Sequence, residues 1–146
     1  MIARHLNMLR LRLVSKNIPR RLGLPGSARL LIVHADDIGL CHDVNRASFT
    51  ALEHGVINSG SIMVPCKGFS EAAEYAAGNP SADLGVHLTL TSEWEHYRWK
   101  PVLPRDEVAS LVDDQGYLPL TTAGLLEKYD IEEVKKELRA QVNRAI

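Results

Sequence analysis

The chain has 146 residues, of which 45% are hydrophobic and 24% charged, with a formal net charge of −1 at pH 7. This length makes one ordinary domain or part of a larger one, with enough apolar side chains for a core. No apolar run approaches the roughly eighteen residues that cross a bilayer, so we expect no stable membrane insertion. Cys41 and Cys66 give neither a metal-binding spacing nor a disulfide framework, which favours a cytoplasmic location.

Charge is distributed unevenly along the sequence. Residues 1–35 contain seven Lys or Arg and no acidic residue, which leaves ten basic and eighteen acidic residues after them. Such a basic segment can bind nucleic acid or anionic membranes or direct a protein to an organelle. We favour a solvated basic arm over residues 1–27, ahead of a domain at 28–146, and expect no nucleic-acid partner. Its apolar residues follow a helical stripe, which predicts a surface helix: Ile2, Leu6, Leu9 and Leu13.

Three strands alternate with two helices between residues 30 and 90. In order, the sequence predicts a buried strand at 30–33, a helix from its N-cap Asp43 to Gly55, a strand at 59–64, a helix at 71–77 capped by Ser70, and a strand at 84–90. Strands that alternate with helices at this spacing predict right-handed crossovers and a parallel sheet. The fold class is therefore α/β.

The region from Thr91 to Thr122 predicts a long irregular excursion. Its aromatic residues, Trp94, Tyr97 and Trp99, could line a sugar site or could attach the loop to the core. A final helix follows from Asp130, with a capping-box-like start and an apolar stripe through Ile131, Val134, Leu138, Val142 and Ala145. Since the alternation predicts a further strand after this helix, the chain looks truncated.

Two adjacent carboxylates, Asp36 and Asp37, come directly after the first predicted strand. Loops at the carboxyl ends of parallel strands bind ligands, and neighbouring carboxylates repel each other unless a cation or a shared proton relieves them. We therefore predict half of a divalent-metal site, in which one Asp binds the metal and the other handles protons.

Histidines supply the remaining candidates for this site. His87 is the best second ligand, although a histidine in an apolar strand is as readily a core residue. His34 and His42 are candidates for the third protein ligand that catalytic zinc sites normally have. His34 could also line the floor of the pocket, and His42 could have a plain surface role.

A phosphoacceptor receiver domain is a competing interpretation. Such domains have a similar length and place an acidic pair after their first strand to bind magnesium. They also need an Asp at the end of the third strand, whereas Asp83 precedes that strand here, and Lys100-Pro101 follows no buried strand. The pattern therefore fits a receiver domain poorly.

Four motifs resemble the YdjC-like carbohydrate deacetylases, the group that contains chitooligosaccharide and hopanoid-biosynthesis deacetylases. They are His34-Ala-Asp-Asp-Ile-Gly39, His42-Asp-Val-Asn45, Ser59-Gly-Ser-Ile-Met-Val64 and Leu84-Gly-Val-His-Leu-Thr-Leu-Thr91. The resemblance covers roughly residues 20–146. Many members of the family have Asn at the position of His34.

The resemblance implies the N-terminal portion of a TIM-like, distorted β/α barrel that removes acetyl groups from N-acetylated sugars with a divalent metal ion, Mg²⁺ or Zn²⁺. It assigns Asp37 and His87 to the metal and makes Asp36 the general base. The family's third ligand lies in an Asp-Ser-His-x-His segment after a helix like that at 131–146, beyond residue 146. A catalytically inactive remnant or an interaction module of the same fold is the alternative. Exposed sheet edges would then favour a homo-oligomer.

Overall fold

The structure, a computed structural model, describes residues 18–146. These residues separate into two compact units, one that ends at Ile32 and one that spans Val33–Ile146. The predicted surface helix at residues 2–13 lies outside the described residues. Within residues 18–146, no helix is long and apolar enough to span a membrane.

Three parallel strands form one open sheet in the second unit, in the order β1-β2-β3. The strands are β1 (His34–Ile38), β2 (Ser59–Ile62) and β3 (Leu84–Val86). Helix α1 (His42–Glu53) joins β1 to β2, and helix α2 (Phe69–Gly78) joins β2 to β3. The predicted α/β class and the parallel alternation are therefore confirmed.

The excursion after β3 has little regular structure. It contains two 3₁₀ turns, Arg105–Glu107 and Ala109–Leu111, followed by a short helix α3 (Thr122–Leu126). The final helix, α4 (Ile131–Ala145), begins where the sequence predicts. Its N-cap Asp130 accepts hydrogen bonds from the backbone N–H groups of Glu132 and Glu133, which are donors without a partner inside the helix.

The prediction of a buried strand at residues 30–33 is wrong. The first strand begins at His34, and the side chains of Leu31 and Ile32 are 81% and 77% exposed. Pairing starts where β2 starts, with His34 opposite Ser59. Hydrophobicity alone predicted a strand here, but a strand also needs a paired neighbour. Before the ladder begins, only Val33 bonds to the segment that leads into β2, through the backbone N–H of Asn58 (2.8 Å) and the Asn58 side chain (2.9 Å).

Several predicted element ends also need correction. Helix α1 begins one residue before Asp43, so its N-cap is Cys41, and α2 begins at Phe69 rather than after a Ser70 cap. The second and third strands end earlier than predicted, at Ile62 and Val86. The predicted stop of α1 is confirmed, since Gly55 has a φ of 70° just beyond the helix.

Two hydrophobic clusters form the core. The cluster beside the sheet consists of Ile38, Ile62, Val64, Phe69 and Ala72. It leaves no room for a side chain at Gly60, where a Cβ atom would lie 2.5 Å from Cδ1 of Ile38. The second cluster holds the excursion in place and consists of Leu40, Met63, Cys66, Trp99, Val108, Leu111, Leu118 and Leu125.

Helix α4 buries polar groups at the centre of its packed face. Glu137 and Gln141 are fully buried, while Ile131, which the sequence placed on the buried stripe, is 53% exposed. The Glu137 carboxylate accepts hydrogen bonds from the backbone N–H groups of Val102 (2.8 Å) and Leu103 (3.0 Å). These contacts attach the excursion to the helix, because the irregular backbone has no sheet partner for these groups.

Replacing Glu137 tests this attachment. We expect Glu137→Ala to lower the free energy of unfolding by about 2–3 kcal/mol, since two backbone donors lose a charged acceptor. Arg139→Ala, at an exposed position on the same helix, is the matched control and should have little effect. Urea denaturation measures both values, and equal effects of the two substitutions would contradict the attachment.

Candidate metal centre

The acidic pair lies in an irregularity of strand β1. Pairing with β2 is regular at Ala35 and resumes at Ile38, with a register shift between them. Asp37 within the shift has a φ of 59°, a left-handed conformation that Asp adopts more readily than most residues. Such irregularities redirect side chains next to functional sites. The shift places the Asp36 and Asp37 carboxylates close to each other at one end of the sheet.

The turn after the pair is held by Asn45 at the start of α1. Its Oδ1 accepts a hydrogen bond from the backbone N–H of Gly39 (2.6 Å). Its Nδ2 donates to the Gly68 carbonyl (2.9 Å) and to Oε2 of Glu71 (2.8 Å). Gly39 itself has a φ of 91°, a left-handed conformation that glycine adopts without steric cost. Three chain segments therefore fix the backbone that presents the two carboxylates.

His87, immediately after β3, completes a group of three side chains with the acidic pair. Its Nε2 lies 3.5 Å from Oδ1 of Asp36, and its Nδ1 lies 3.5 Å from Oδ1 of Asp37. One ligand atom from each of the three residues lies within 4.8 Å of the others. The structure thus brings together all three residues that the sequence singled out.

The chemistry of this group fits a divalent cation. The Nδ1 atom of His87 is buried and has no hydrogen-bond partner, although it faces Asp37. Burial raises the pKa of Asp37, and the negative charges of Asp36 and Glu93 add to the rise, while His87 opposes it. A cation between these groups would accept the imidazole lone pair and offset the burial of the carboxylate.

The other two histidine candidates lie outside this group. Both ring nitrogens of His34 contact serines, Ser59 Oγ at 2.7 Å and Ser61 Oγ at 3.1 Å. His34 therefore lies on the sheet beside Asp36, outside the group formed with Asp37 and His87. His42 pairs with Glu71 (2.8 Å) on the exposed surface and does not reach the acidic pair.

The two carboxylates experience opposite environments. Ser61 Oγ donates a 2.6 Å hydrogen bond to Oδ1 of Asp36, and this bond is the main reason that the pKa of Asp36 lies below its usual value. Asp37 is shifted the other way by burial. Neighbouring titratable groups whose pKa values are pushed apart are suited to different roles. Ser61 was not among the candidates predicted from the sequence, although Ser59 and Ser61 alternate in β2 as His34 and Asp36 do in β1.

A cleft of about 370 Å³ opens beside Asp37 and His87, and Glu93, Trp94 and Trp99 are among the residues that line it. The aromatic residues of the excursion divide between the two predicted roles. Trp99 is 4% exposed in the core and the Tyr97 hydroxyl donates to the Leu40 carbonyl (2.9 Å), so both attach the loop. Trp94 is 55% exposed and is free to contact a ligand.

Fold and site together define an α/β protein with a carboxylate–imidazole group at one end of a parallel sheet. The profile of the family described as YdjC-like protein matches residues 30–146. The chain therefore belongs to the YdjC-like family, and the receiver-domain interpretation is set aside.

Curated relatives show the same similarity over part of their length. The chain is 44% identical over 125 residues to a carbohydrate deacetylase of Thermus thermophilus, and the match covers 86% of this chain and 42% of that protein. It is 33% identical over 120 residues to a chitooligosaccharide deacetylase of Yersinia enterocolitica, with 81% and 44% covered. The chain thus spans less than half the length of these relatives.

A solved structure has a similar fold. It is the crystal structure of a protein from Enterococcus faecalis V583, provisionally described as a cellobiose-phosphate cleavage protein. The two chains superpose with a TM-score of 0.70 at 38% sequence identity, over 82% of this chain and 44% of the other. The three-stranded arrangement is therefore shared with an experimentally determined protein.

Ser61→Ala tests the electrostatic difference between the two carboxylates. Because the folded pKa of Asp36 lies below its usual value, this group stabilises the fold above that usual value and loses the contribution as the pH falls through the folded pKa. Removal of the Ser61 hydroxyl should raise the pKa of Asp36 toward its usual value in a carboxyl NMR titration of the metal-free protein. Ser81→Ala, at an exposed position, should leave it unchanged, and an unshifted Asp36 in Ser61→Ala would contradict the role of this bond.

Proposed function

We propose that this chain forms part of a metal-dependent hydrolase that removes acetyl groups from N-acetylated sugars. The observation that carries the proposal is the group formed by Asp36, Asp37 and His87. Its support comes from the family membership and from relatives named as carbohydrate and chitooligosaccharide deacetylases.

The proposed roles follow from the chemistry of each side chain. Asp37 and His87 bind the divalent ion, Mg²⁺ or Zn²⁺, through a carboxylate oxygen and an imidazole nitrogen. Asp36 is the general base that takes a proton from the attacking water, since its lowered pKa keeps it ionised. A bound cation of this kind polarises an acetamide carbonyl and lowers the pKa of a water molecule.

We also propose that the open sheet is the first part of a distorted, TIM-like β/α barrel formed by residues 28–146 and further chain, with residues 1–27 as a basic arm. The superposition on 44% of the Enterococcus faecalis chain supports this arrangement. The ends of its strands would then face a shared site, as in other β/α barrels. The proposed location is the cytoplasm, in keeping with two free cysteines, Cys41 and Cys66.

A sugar substrate is supported by the cleft. Trp94 presents an exposed indole beside Asp37 and His87, and polar groups of Thr91 and Glu93 line the same cleft. Pyranose rings have apolar C–H faces and polar hydroxyl edges, which complement an aromatic ring next to carboxylate and hydroxyl groups. In the proposed complex, the indole binds the sugar face and the acetamide points toward Asp36.

Metal binding and acetate release test these roles together. We expect Asp37→Ala and His87→Ala to weaken Zn²⁺ or Mg²⁺ binding by more than about tenfold. Loss of a residue that only hydrogen-bonds to a metal ligand already lowers metal affinity by about this factor. Asp36→Asn should abolish acetate release from N-acetylglucosamine oligomers while metal still binds. Calorimetry and an acetate assay measure the two effects.

The matched control is Asp83→Asn, an exposed carboxylate just before β3. It should change neither metal affinity nor acetate release. Acetate release that survives both Asp36→Asn and His87→Ala would refute the proposal. Weak metal affinity without turnover in the unsubstituted chain would instead favour the catalytically inactive remnant or interaction module of the same fold.

Trp94→Ala separates sugar binding from the chemical step. Loss of the indole should raise KM for N-acetylglucosamine oligomers about two- to tenfold with little change in kcat, since the ring contacts substrate away from the reacting bond. Trp94→Phe, which keeps an aromatic face, should restore most of the binding. A fall in kcat with unchanged KM would contradict the assignment.

A further inference from the structure

Four side chains on one face of the sheet form a continuous chain of hydrogen bonds that ends at Asp36. Ser59 Oγ lies 2.7 Å from Nδ1 of His34, His34 Nε2 lies 3.1 Å from Ser61 Oγ, and Ser61 Oγ lies 2.6 Å from Oδ1 of Asp36. The register explains the arrangement, because His34 is opposite Ser59 in the parallel pair and alternate residues of a strand share a face.

The Asp36 carboxylate, at the end of this series of hydrogen bonds, determines which group donates in each of them. An ionised carboxylate only accepts hydrogen bonds, so the Ser61 hydroxyl donates to Asp36. The Ser61 oxygen then accepts from His34, which places a proton on Nε2. In the neutral ring Nδ1 is therefore an acceptor, and the Ser59 hydroxyl donates to it. The arrangement selects one imidazole tautomer.

We propose that His34 is a positioning residue for Asp36 that acts through Ser61. The inference rests on the proposed function, in which Asp36 is the general base. The side chain of Asp36 is 62% exposed, so packing alone does not fix its orientation. His34 holds the Ser61 hydroxyl proton toward Oδ1 of Asp36, which limits the rotation of the carboxylate. The other carboxylate oxygen, Oδ2, makes none of these hydrogen bonds and remains available for the water that Asp36 deprotonates.

This role differs from that of a metal ligand. The proposed ligands of the cation are Asp37 and His87, and His34 is outside the group that these two residues form with Asp36. Both nitrogens of the His34 ring are already engaged by serines. Substitution of His34 should therefore change the rate of the chemical step and leave the affinity for the cation unchanged.

The first test is the tautomer of His34, which depends on neither metal nor turnover. At a pH where the ring is neutral, ¹⁵N NMR of the full chain should show a protonated Nε2 and an unprotonated Nδ1. The Ser61→Ala variant should lose this fixed preference. A protonated Nδ1, or a tautomer unaffected by Ser61→Ala, would overturn the proposal even if deacetylation were demonstrated.

The second test is a matched pair of substitutions at His34. His34→Gln keeps a donor near the position of Nε2, whereas His34→Phe keeps the ring shape without hydrogen bonds. We expect His34→Phe to lower kcat for acetate release about ten- to a hundredfold, with KM and metal affinity unchanged, and His34→Gln to restore most of the rate. Equal losses in both variants, or a parallel loss of metal affinity, would overturn the proposal.

A double substitution shows whether the two residues act as one unit. His34→Phe combined with Ser61→Ala should cost no more in kcat than Ser61→Ala alone, because both changes remove the same contact with Asp36. If the losses in kcat from the two single substitutions add in the double variant, His34 does not act through Ser61 and the proposal is overturned. If the unsubstituted chain releases no acetate, that result counts against the proposed function, while the NMR experiment still decides the orientation of His34.

Discussion

The register shift in β1 is the constraint on which the rest of the site depends. A regular strand would send the side chains of Asp36 and Asp37 to opposite faces of the sheet. The left-handed conformation of Asp37 changes this geometry, so both carboxylates approach the same imidazole. The Asn45 hydrogen bonds hold the following turn in place, which helps to maintain a backbone conformation that is unfavourable by itself.

The pKa of each carboxylate is set by the strand or segment that it faces. Asp36 faces the hydroxyl-bearing side of β2 and is held in the ionised state by Ser61. Asp37 is half-buried toward His87 and Glu93, where an ionised carboxylate is less favourable without a nearby cation. Two chemically identical side chains, one peptide bond apart, thereby have pKa values shifted in opposite directions, which supports the different roles proposed for them.

Local sequence patterns predict some features of this structure, whereas other features depend on tertiary pairing. The order of strands and helices and the meeting of Asp36, Asp37 and His87 follow from periodicity and from the rule that parallel strands end at one edge. Burial at residues 30–33 could not be predicted, because it depends on which segment covers them. The register shift and the buried pair Glu137–Gln141 depend on tertiary pairing, which hydrophobic patterns do not encode.

The buried polar pair on α4, Glu137 and Gln141, affects the shape of the cleft. Gln141 bonds both to the backbone N–H (2.9 Å) and to the carbonyl of Thr89, and Glu137 bonds to the backbone at Val102 and Leu103. The wall of the cleft that carries Trp94 lies between these two attachment points. Its shape is thus set in part by two side chains on the packed face of α4, which lie outside the group formed by Asp36, Asp37 and His87. Substitutions on the packed face of α4 can therefore change the shape of the cleft without any change at Asp36, Asp37 or His87.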